Sequence, residues 1–342
     1  MSHGATSLAG GLPGRGKRKI LVVAHAHRKE TVDAAVRVTA LLRSSGAQPV
    51  LAHDDRAELS AIAPVLAEVP VLDVDVPLGD IDLAIVLGGD GTILRAAELV
   101  REGTAPVLGI NMGHVGFLAE IDRDAMDSAV RRAVQGDYAV EERLALDVRV
   151  KDRSGKVVYE TWALNEATVE KDSRERMIEV VMEIDRRPLS TFGADGIVIA
   201  TPTGSTAYNF SAGGPVIWPT VQAIAVVPLS AHALFARPLV VGPEHAIAVE
   251  VLEGGAGASA VLWCDGRRSH PLPPGARVSV RRSPRPVRLA RLHPAAFTDR
   301  LVRKFKLPVT GWRGPSDPHA TDAIETIETI APVFAPVAEA RE

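Results

Sequence analysis

The run IDLAIVLGGDGTILRAAELV, Ile81 to Val100, constrains this chain more than any other stretch. Ile81–Leu87 is a continuous apolar run of buried-strand length, Gly88–Thr92 is a glycine turn, and Ile93–Val100 has helical spacing. A strand that passes through such a turn into a helix is a unit of a parallel α/β sheet. The flanking sequence repeats the alternation. Lys19–Ala24, KILVVA, reads as another buried strand. Glu30–Arg43 follows as a helix, with Val32, Ala35, Val36, Val38, Leu41 and Leu42 on its apolar side and Gly46 just past its end. Pro49–Ala52 and Ala105–Ile110 supply two more strands. The expectation is an α/β domain with a parallel, Rossmann-like sheet, whose ligands bind beyond the carboxyl ends of the strands. GGDGT lies at such an end.

From about Glu141 the texture changes. LALDVRVKD, VVYETWALNEATVEK, MIEVVMEID, IAVEVLE and ARVSVRR alternate with period two or are rich in β-branched residues. This half is expected to be a β-rich, sandwich-like domain. At roughly 150 residues per domain, a chain of 342 residues holds about two. The expected division is a disordered leader over 1–18, the α/β domain over 19–142 and the β-rich domain over 143–292. A segment over 293–312 is expected to return to the first domain, and a flexible acidic tail to cover 313–342. In the leader, GLPGRGKR from Gly11 nearly matches a phosphate-binding P-loop. It fails because Arg18 stands where Ser or Thr is needed, and because it precedes a strand instead of following one.

Composition narrows the partners. A net charge of −3 gives no reason to expect nucleic acid or a membrane surface. No apolar run of ~18 residues is present to span a bilayer. The single cysteine, Cys264, excludes an intrachain disulfide and a cysteine metal cluster, and it fits a reducing, cytoplasmic setting. It reads as a packed thiol. His232 has no metal-ligand spacing around it and reads as structural.

Three stretches carry candidate chemistry. GGDGT, Gly88–Thr92, offers backbone N–H groups to a phosphate at a helix start, with Asp90 inside the turn. Alone it serves equally as a tight connection in which Asp90 caps the helix. GADGIVIATPTGSTAYNFSAGGP, Gly193–Pro215, runs from an acid and a strand into a dense Gly, Ser, Thr and Pro segment. Thr206–Ser211 is expected to form one helical turn there, ended by Gly213 or Gly214. The alternative is a long polar surface loop anchored by Tyr208 and Phe210. NEATVEK, Asn165–Lys171, places Asn and Glu where strand residues are expected, either to read a ligand's hydroxyls or to make a bulge.

Together these stretches resemble the NAD kinases. The order is LGGDGT, GINMGHVGFLAE (Gly109–Glu120), LNE, DGIVIATPTGSTAYNFSAGGP and PLSAHALFARPLVV (Pro228–Val241), and the resemblance covers roughly Lys19–Trp312. GGDGT alone is shared with diacylglycerol and sphingosine kinases, and loosely with 6-phosphofructokinases. TPTGSTAY with LNE before it is much more specific. The resemblance implies that Asp90 is the catalytic acid, taking the proton from the adenosine-side ribose 2′-hydroxyl of NAD as that oxygen attacks the γ-phosphoryl of ATP. It implies a substrate site of Gly88, Gly89, Asp90, Gly91, Thr92, Arg95, Phe117, Asn165, Glu166, Arg176, Asp195, Thr206, Ala207, Tyr208, Asn209, Phe210 and Ser211. Within it, Asn165 and Glu166 match the pair that grips the adenosine half, Asp195 an acid near the nicotinamide, and Phe117 a pocket wall. Arg95, Lys171 and Arg176 match phosphate contacts. A divalent cation, Mg²⁺, is implied with ATP, and a homodimer or homotetramer as the assembly. Inorganic polyphosphate in place of ATP, and NADH in place of NAD, stay open. The family's glutamine after CDG is replaced here by Arg267 and Arg268. The rival readings are a lipid kinase of the diacylglycerol or sphingosine type, and a module that senses NAD without turning it over.

Overall fold

The computed structural model describes residues 17–113, 116–173, 176–232, 236–253, 259–293 and 296–309. The expected tail over 313–342, and the leader except for its last two residues, lie outside the described residues. The chain begins β1 (Lys19–Val23), α1 (Lys29–Ser44), β2 (Gln48–Leu51), α2 (His53–Ile62), β3 (Leu83–Leu87), α3 (Asp90–Leu99), β4 (Val107–Asn111), β5 (Ile121–Asp122), α4 (Met126–Gln135) and β6 (Ala139–Arg143). It continues β7 (Leu146–Lys151), β8 (Val157–Ala163), β9 (Glu166–Lys171), β10 (Ile178–Ile184), β11 (Arg187–Ala194), β12 (Gly196–Ala200), α5 (Tyr208–Ser211), β13 (Ile224–Leu229), β14 (Leu239–Val241), β15 (Ile247–Val251), β16 (Ala260–Cys264), β17 (Arg268–Leu272) and β18 (Arg277–Arg282). β19 (Val287–Arg291) and α6 (Phe297–Phe305) close it.

The first sheet has the order β2-β1-β3-β4-β19-β6, with β5 beside β4. Its pairs are parallel except that of β19 with β6. All five residues of β3 are buried, because the sheet is covered on both faces. Ile20 and Val22 pack into the layer that holds α1 and α4. Leu21 and Val23, one residue out of phase, pack with α3 on the other face. The parallel α/β expectation holds. β19 pairs with β4 and β6, so the chain is back in the first sheet from Val287, ahead of the expected boundary at 292. VRLAR has ordinary strand character, and strand character does not say which sheet a strand joins.

The second domain is a sandwich of two antiparallel sheets, β11-β10-β15-β18-β7-β8 and β14-β13-β12-β9-β16-β17. Alternate residues such as Val148, Val180, Ile197, Val249, Leu262 and Val278 share one core between the sheets. β12 is buried on both faces. Its outward Val198 and Ala200 lie under Ile217 and Ala223, from the polar loop that follows it. Leu164, at the break between β8 and β9, belongs to the same buried cluster as Ile93, Leu94 and Ala97 of α3 in the first domain. Through that cluster the break that carries Asn165 and Glu166 joins the first domain.

Candidate active site

The parallel strands deliver the GGDGT turn to the sheet's carboxyl edge. Gly89 and Gly91 are exposed there, and Asp90 is half-buried as the first residue of α3, where an acid suits the helix dipole. Asp90 does not cap its own helix. Its Oδ2 accepts from the Phe117 N–H at 2.9 Å and its Oδ1 from the Leu118 N–H at 3.0 Å. Gly116 permits this approach, because a Cβ there would overlap the Asp90 carboxylate. Two donors on two oxygens fix the carboxylate and leave each oxygen with further acceptor capacity.

Phe117, expected to wall the pocket, is buried beneath α6. Its ring lies 6.0 Å from Phe297 and 5.8 Å from Phe305, centroid to centroid. Phe305 stacks on Phe210 at 4.4 Å, and Trp218 meets Phe297 edge-on at 5.0 Å. The final helix therefore joins the loop that holds Asp90 to the loop that follows β12.

The second half of the site is built on the break before β9. Asp265 accepts from the Leu164 N–H with both oxygens, at 3.0 and 2.9 Å, and from the Asn165 N–H at 2.7 Å. On the other side, Thr201 donates its hydroxyl to the Leu164 carbonyl at 2.5 Å and its N–H to the Asn165 carbonyl at 2.9 Å. A Cβ on Gly204 would overlap the Asn165 carbonyl, so glycine lets TPTGS lie directly on LNE. Glu166 is 7% exposed, and its Oε2 is buried without a hydrogen-bond partner. Burial first, and the neighbouring Asp265 charge second, push its pKa up to about 8. Glu166 is therefore neutral at pH 7. A buried polar atom without a partner is the feature expected of a group that awaits a ligand.

The structure brings Glu166, Glu170, Tyr208 and Asp195 into one electrostatic neighbourhood, and their negative charges raise the pKa of the Tyr208 phenol after burial has done so. Asp195 is paired with Lys171 at 2.5 Å, which holds its carboxyl below the usual range. The helical turn expected over Thr206–Ser211 is a 3₁₀ turn at Gly204–Thr206 followed by α5, and Gly213 takes a φ of +79°. Tyr208, Phe210 and Ser211 are exposed, and Thr206 and Ala207 half-buried. Asn209 is fully buried and works inside the loop, donating to the Ser205 carbonyl at 3.1 Å and the Pro215 carbonyl at 3.0 Å. Arg95 is likewise engaged internally, with the buried Asp55 and the Ala24 carbonyl. Arg176 is exposed ahead of β10, and the Thr92 side chain lies against Gly88.

The arginines after CDG clasp the two domains together. Arg267 and Arg268 reach Glu98 of α3 at 3.1 and 3.0 Å, and Arg268 also holds Asp265 at 2.7 Å. Trp162 lies between the guanidinium groups of Arg101 and Arg268, at 4.4 and 4.6 Å. Sequence reasoning missed Asp265, Glu170, Arg291 and Arg300. It also missed His25, whose pKa is lowered by burial and by the charges of His27, Arg28 and Arg95, and whose Nδ1 is buried without a partner. A polar residue directly after the buried β1 was the available signal for His25. The others are fixed only by long-range contacts.

Comparison with known proteins follows these two halves. The family model of the ATP-NAD kinase N-terminal domain matches residues 20–138, and that of the C-terminal domain matches 164–292. An NAD kinase of Leifsonia xyli subsp. xyli is 63% identical over 299 residues, covering 87% of this chain and 98% of that one. NAD kinase 2 of Streptomyces coelicolor is 54% identical over 300 residues, covering 87% and 97%. Among solved structures, yeast NADH kinase complexed with NADH has the same fold, with a TM-score of 0.76 at 22% identity over 88% of this chain and 91% of that one. An Archaeoglobus fulgidus NAD kinase in complex with ATP gives a TM-score of 0.63 at 24% identity over 84% and 98%. With both domain models matched in order and high identity over nearly all of its described residues, the chain belongs to the ATP-NAD kinase family.

Proposed function

We propose that this NAD kinase transfers the γ-phosphoryl group of ATP to the 2′-hydroxyl of the adenosine ribose of NAD, with Asp90 as the general base. One observation carries the reading. A carboxylate is fixed by two backbone N–H groups at the carboxyl edge of a parallel sheet, and a buried Glu166 with one partnerless oxygen follows Leu164, which shares a buried cluster with the helix that Asp90 begins. Phosphoryl transfer asks the protein for position and charge more than for covalent chemistry. Glu166 and Asn165 grip the adenosine half, with Tyr208 beside them. The ribose hydroxyl then meets Asp90, which takes its proton as the P–O bond forms and ADP leaves.

The phosphates of ATP lie in this reading over the first-turn N–H groups of α3 and the loop after β1, where His25, His27 and Arg28 stand near Arg95. The described residues contain no group of three or more His, Cys, Asp or Glu placed to hold a metal ion. In this reading a divalent ion would accompany ATP and supply charge neutralisation at its phosphates. A dimer or tetramer in the cytoplasm remains part of the proposal, as does some turnover with NADH or polyphosphate. No helix among the described residues is long and apolar enough to cross a membrane.

The test is direct. The purified chain, incubated with ATP, magnesium and NAD, is expected to form NADP. Formation of none, with NAD still bound in calorimetry, would leave a sensing module. Phosphorylation of diacylglycerol or sphingosine in preference to NAD would favour the lipid-kinase reading.

A further inference from the structure

The loop that holds Asp90 is itself held from behind by two arginines. Arg300, on α6, donates from its Nη1 to the Phe117 carbonyl at 2.6 Å. That carbonyl and the Leu118 N–H are the two ends of one peptide plane, and the Leu118 N–H donates to Asp90. Arg291, on β19, donates to the next carbonyl, that of Leu118, at 3.1 Å. A guanidinium on one face of a peptide strengthens the N–H on the other, because hydrogen bonds in a chain polarise one another.

The surroundings keep this chain of contacts charged and rigid. Arg291 is paired with Glu141 at 2.7 Å and with Glu120 at 3.5 Å. Glu120 also accepts from the N–H groups of Leu292 and His293 at 2.9 and 2.7 Å. Arg143 holds Glu141 from the side at 2.9 Å. Burial lowers the pKa of Arg300 to about 10, so it remains a cation at neutral pH. Phe297 and Phe305, on the same helix, seat it over Phe117.

We propose that Arg300 is a positioning residue for Asp90, acting through the Phe117–Leu118 peptide, with Arg291 fixing the peptide that follows. This rests on the reading of Asp90 as the base. Arg300 lies 183 residues from the carbonyl it holds, and it gives the last helix a task in turnover beyond packing. Its hydrogen bond holds the peptide whose N–H fixes the Asp90 carboxylate. The other charged groups around this loop are Arg291 from β19, Glu141 and Arg143 from β6 and Glu120 from the loop itself. All are left in place by a change at Arg300.

The test compares Arg300→Lys, Arg300→Gln and Arg300→Met with the unchanged enzyme, with Asp90→Asn, and with the double variant Asp90→Asn/Arg300→Met. Arg300→Met is expected to lose about tenfold or more in kcat, the scale of one charge-assisted hydrogen bond. KM for NAD and for ATP should stay within about twofold, because ground-state contacts are untouched. Arg300→Gln keeps a donor without the charge, so it should show a smaller loss, and Arg300→Lys should restore most of the kcat. In the Asp90→Asn background, Arg300→Met should add nothing. Unchanged kcat in Arg300→Gln and Arg300→Met overturns the proposal. So does an equal loss in both backgrounds. Should Arg300→Met fail to fold, the Lys and Gln pair decides. Full turnover in Asp90→Asn would instead remove the base assignment itself, and with it the reason for the arginine's role.

Discussion

Asp90 and Glu166 are both carboxylic acids on the first residue of an element, α3 in the α/β domain and β9 in the sandwich, yet their settings are opposite. Asp90 is half-buried, and both of its oxygens accept backbone N–H groups. Glu166 is buried, one of its oxygens has no partner, and its pKa rises to about 8. The first environment fixes a carboxylate with two backbone donors. The second favours a neutral acid that can both donate to and accept from a hydroxyl. In the proposed mechanism these surroundings divide two chemically similar side chains between proton transfer and recognition. The parallel sheet presents backbone groups at one edge, whereas the sandwich buries its loop junctions under a second layer.

The largest effect that would break this comparison is at Asp90. Asp90→Asn is expected to lower kcat by roughly 10²–10⁴, the usual contribution of a general base. NAD should still bind. The geometry adds a second expectation. One oxygen becomes an NH₂ that faces a backbone N–H of Phe117 or Leu118, so the variant should also melt somewhat earlier, for about 1–3 kcal/mol of lost pairing. Initial rates and a melting curve on the same preparation check both. Near-normal turnover would place the proton elsewhere.

The next effect is at Glu166. Glu166→Ala should weaken NAD by about 1–3 kcal/mol, one buried hydrogen bond left unmade, with the fold intact. Glu166→Gln mimics the neutral acid and should bind nearly as well as the unchanged protein at pH 7. The pH dependence has a definite sign. The folded pKa lies above the ordinary value of 4.5, so the folded state holds a proton that the unfolded chain has released. Stability from this group is complete below 4.5 and is lost as pH rises through about 8. Chemical denaturation across that window should show a decline in the unchanged protein and a smaller one in Glu166→Gln. Equal slopes would mean that Glu166 is ionised at neutral pH, and the contrast with Asp90 would disappear.

These two acids also mark how far the sequence could be read. GGDGT and LNE were legible because their signals are local: glycines and an acid at a strand end, and polar residues where a strand should continue. What holds the acids was not legible. The donors to Asp90 lie 27 and 28 residues on, and the aspartate that organises Leu164 and Asn165 lies 100 or more residues on. Asp265 stood in plain view beside Cys264, but nothing in CDG says that its carboxylate turns back onto β9. Arg95 and Asn209 show the same limit from the other side. Both have the chemistry of a ligand contact, and only the structure shows that Arg95 is also held by Asp55 and Asn209 by its own loop. β19 lies beyond the last alternating stretch read from the sequence, and only pairing assigns it to the first sheet.

The smallest effect concerns the proposed nicotinamide end, where in this reading the sandwich has to tell a positively charged oxidised ring from a neutral reduced one. An enzyme separates them only through groups that interact differently with the two. The candidate is Asp195, and the structure changes its weight. Lys171 neutralises it at 2.5 Å, so the field it offers to a cationic ring is weaker than that of a lone carboxylate. Gly193, two residues earlier, supplies no side chain. NADH is therefore expected to be phosphorylated as well, less efficiently than NAD but measurably. The comparison is kcat/KM for the two in one buffer and salt. A preference for NAD beyond about a thousandfold, ~4 kcal/mol in transition-state binding, would show that another group discriminates. Gly193→Arg sharpens the question. A Cβ at this position meets only Met177, at 3.8 Å, and the backbone lies outside the left-handed region, so the strand can accept the side chain. If Gly193 lines the nicotinamide pocket, the added cation repels the oxidised ring, and the NAD-to-NADH ratio should change severalfold with melting temperature preserved. Breaking the ion pair from the other side, with Lys171→Met, should move the ratio the opposite way, toward NAD, because it frees the charge of Asp195. Ratios unmoved by both variants would place Asp195 and Gly193 away from the ring.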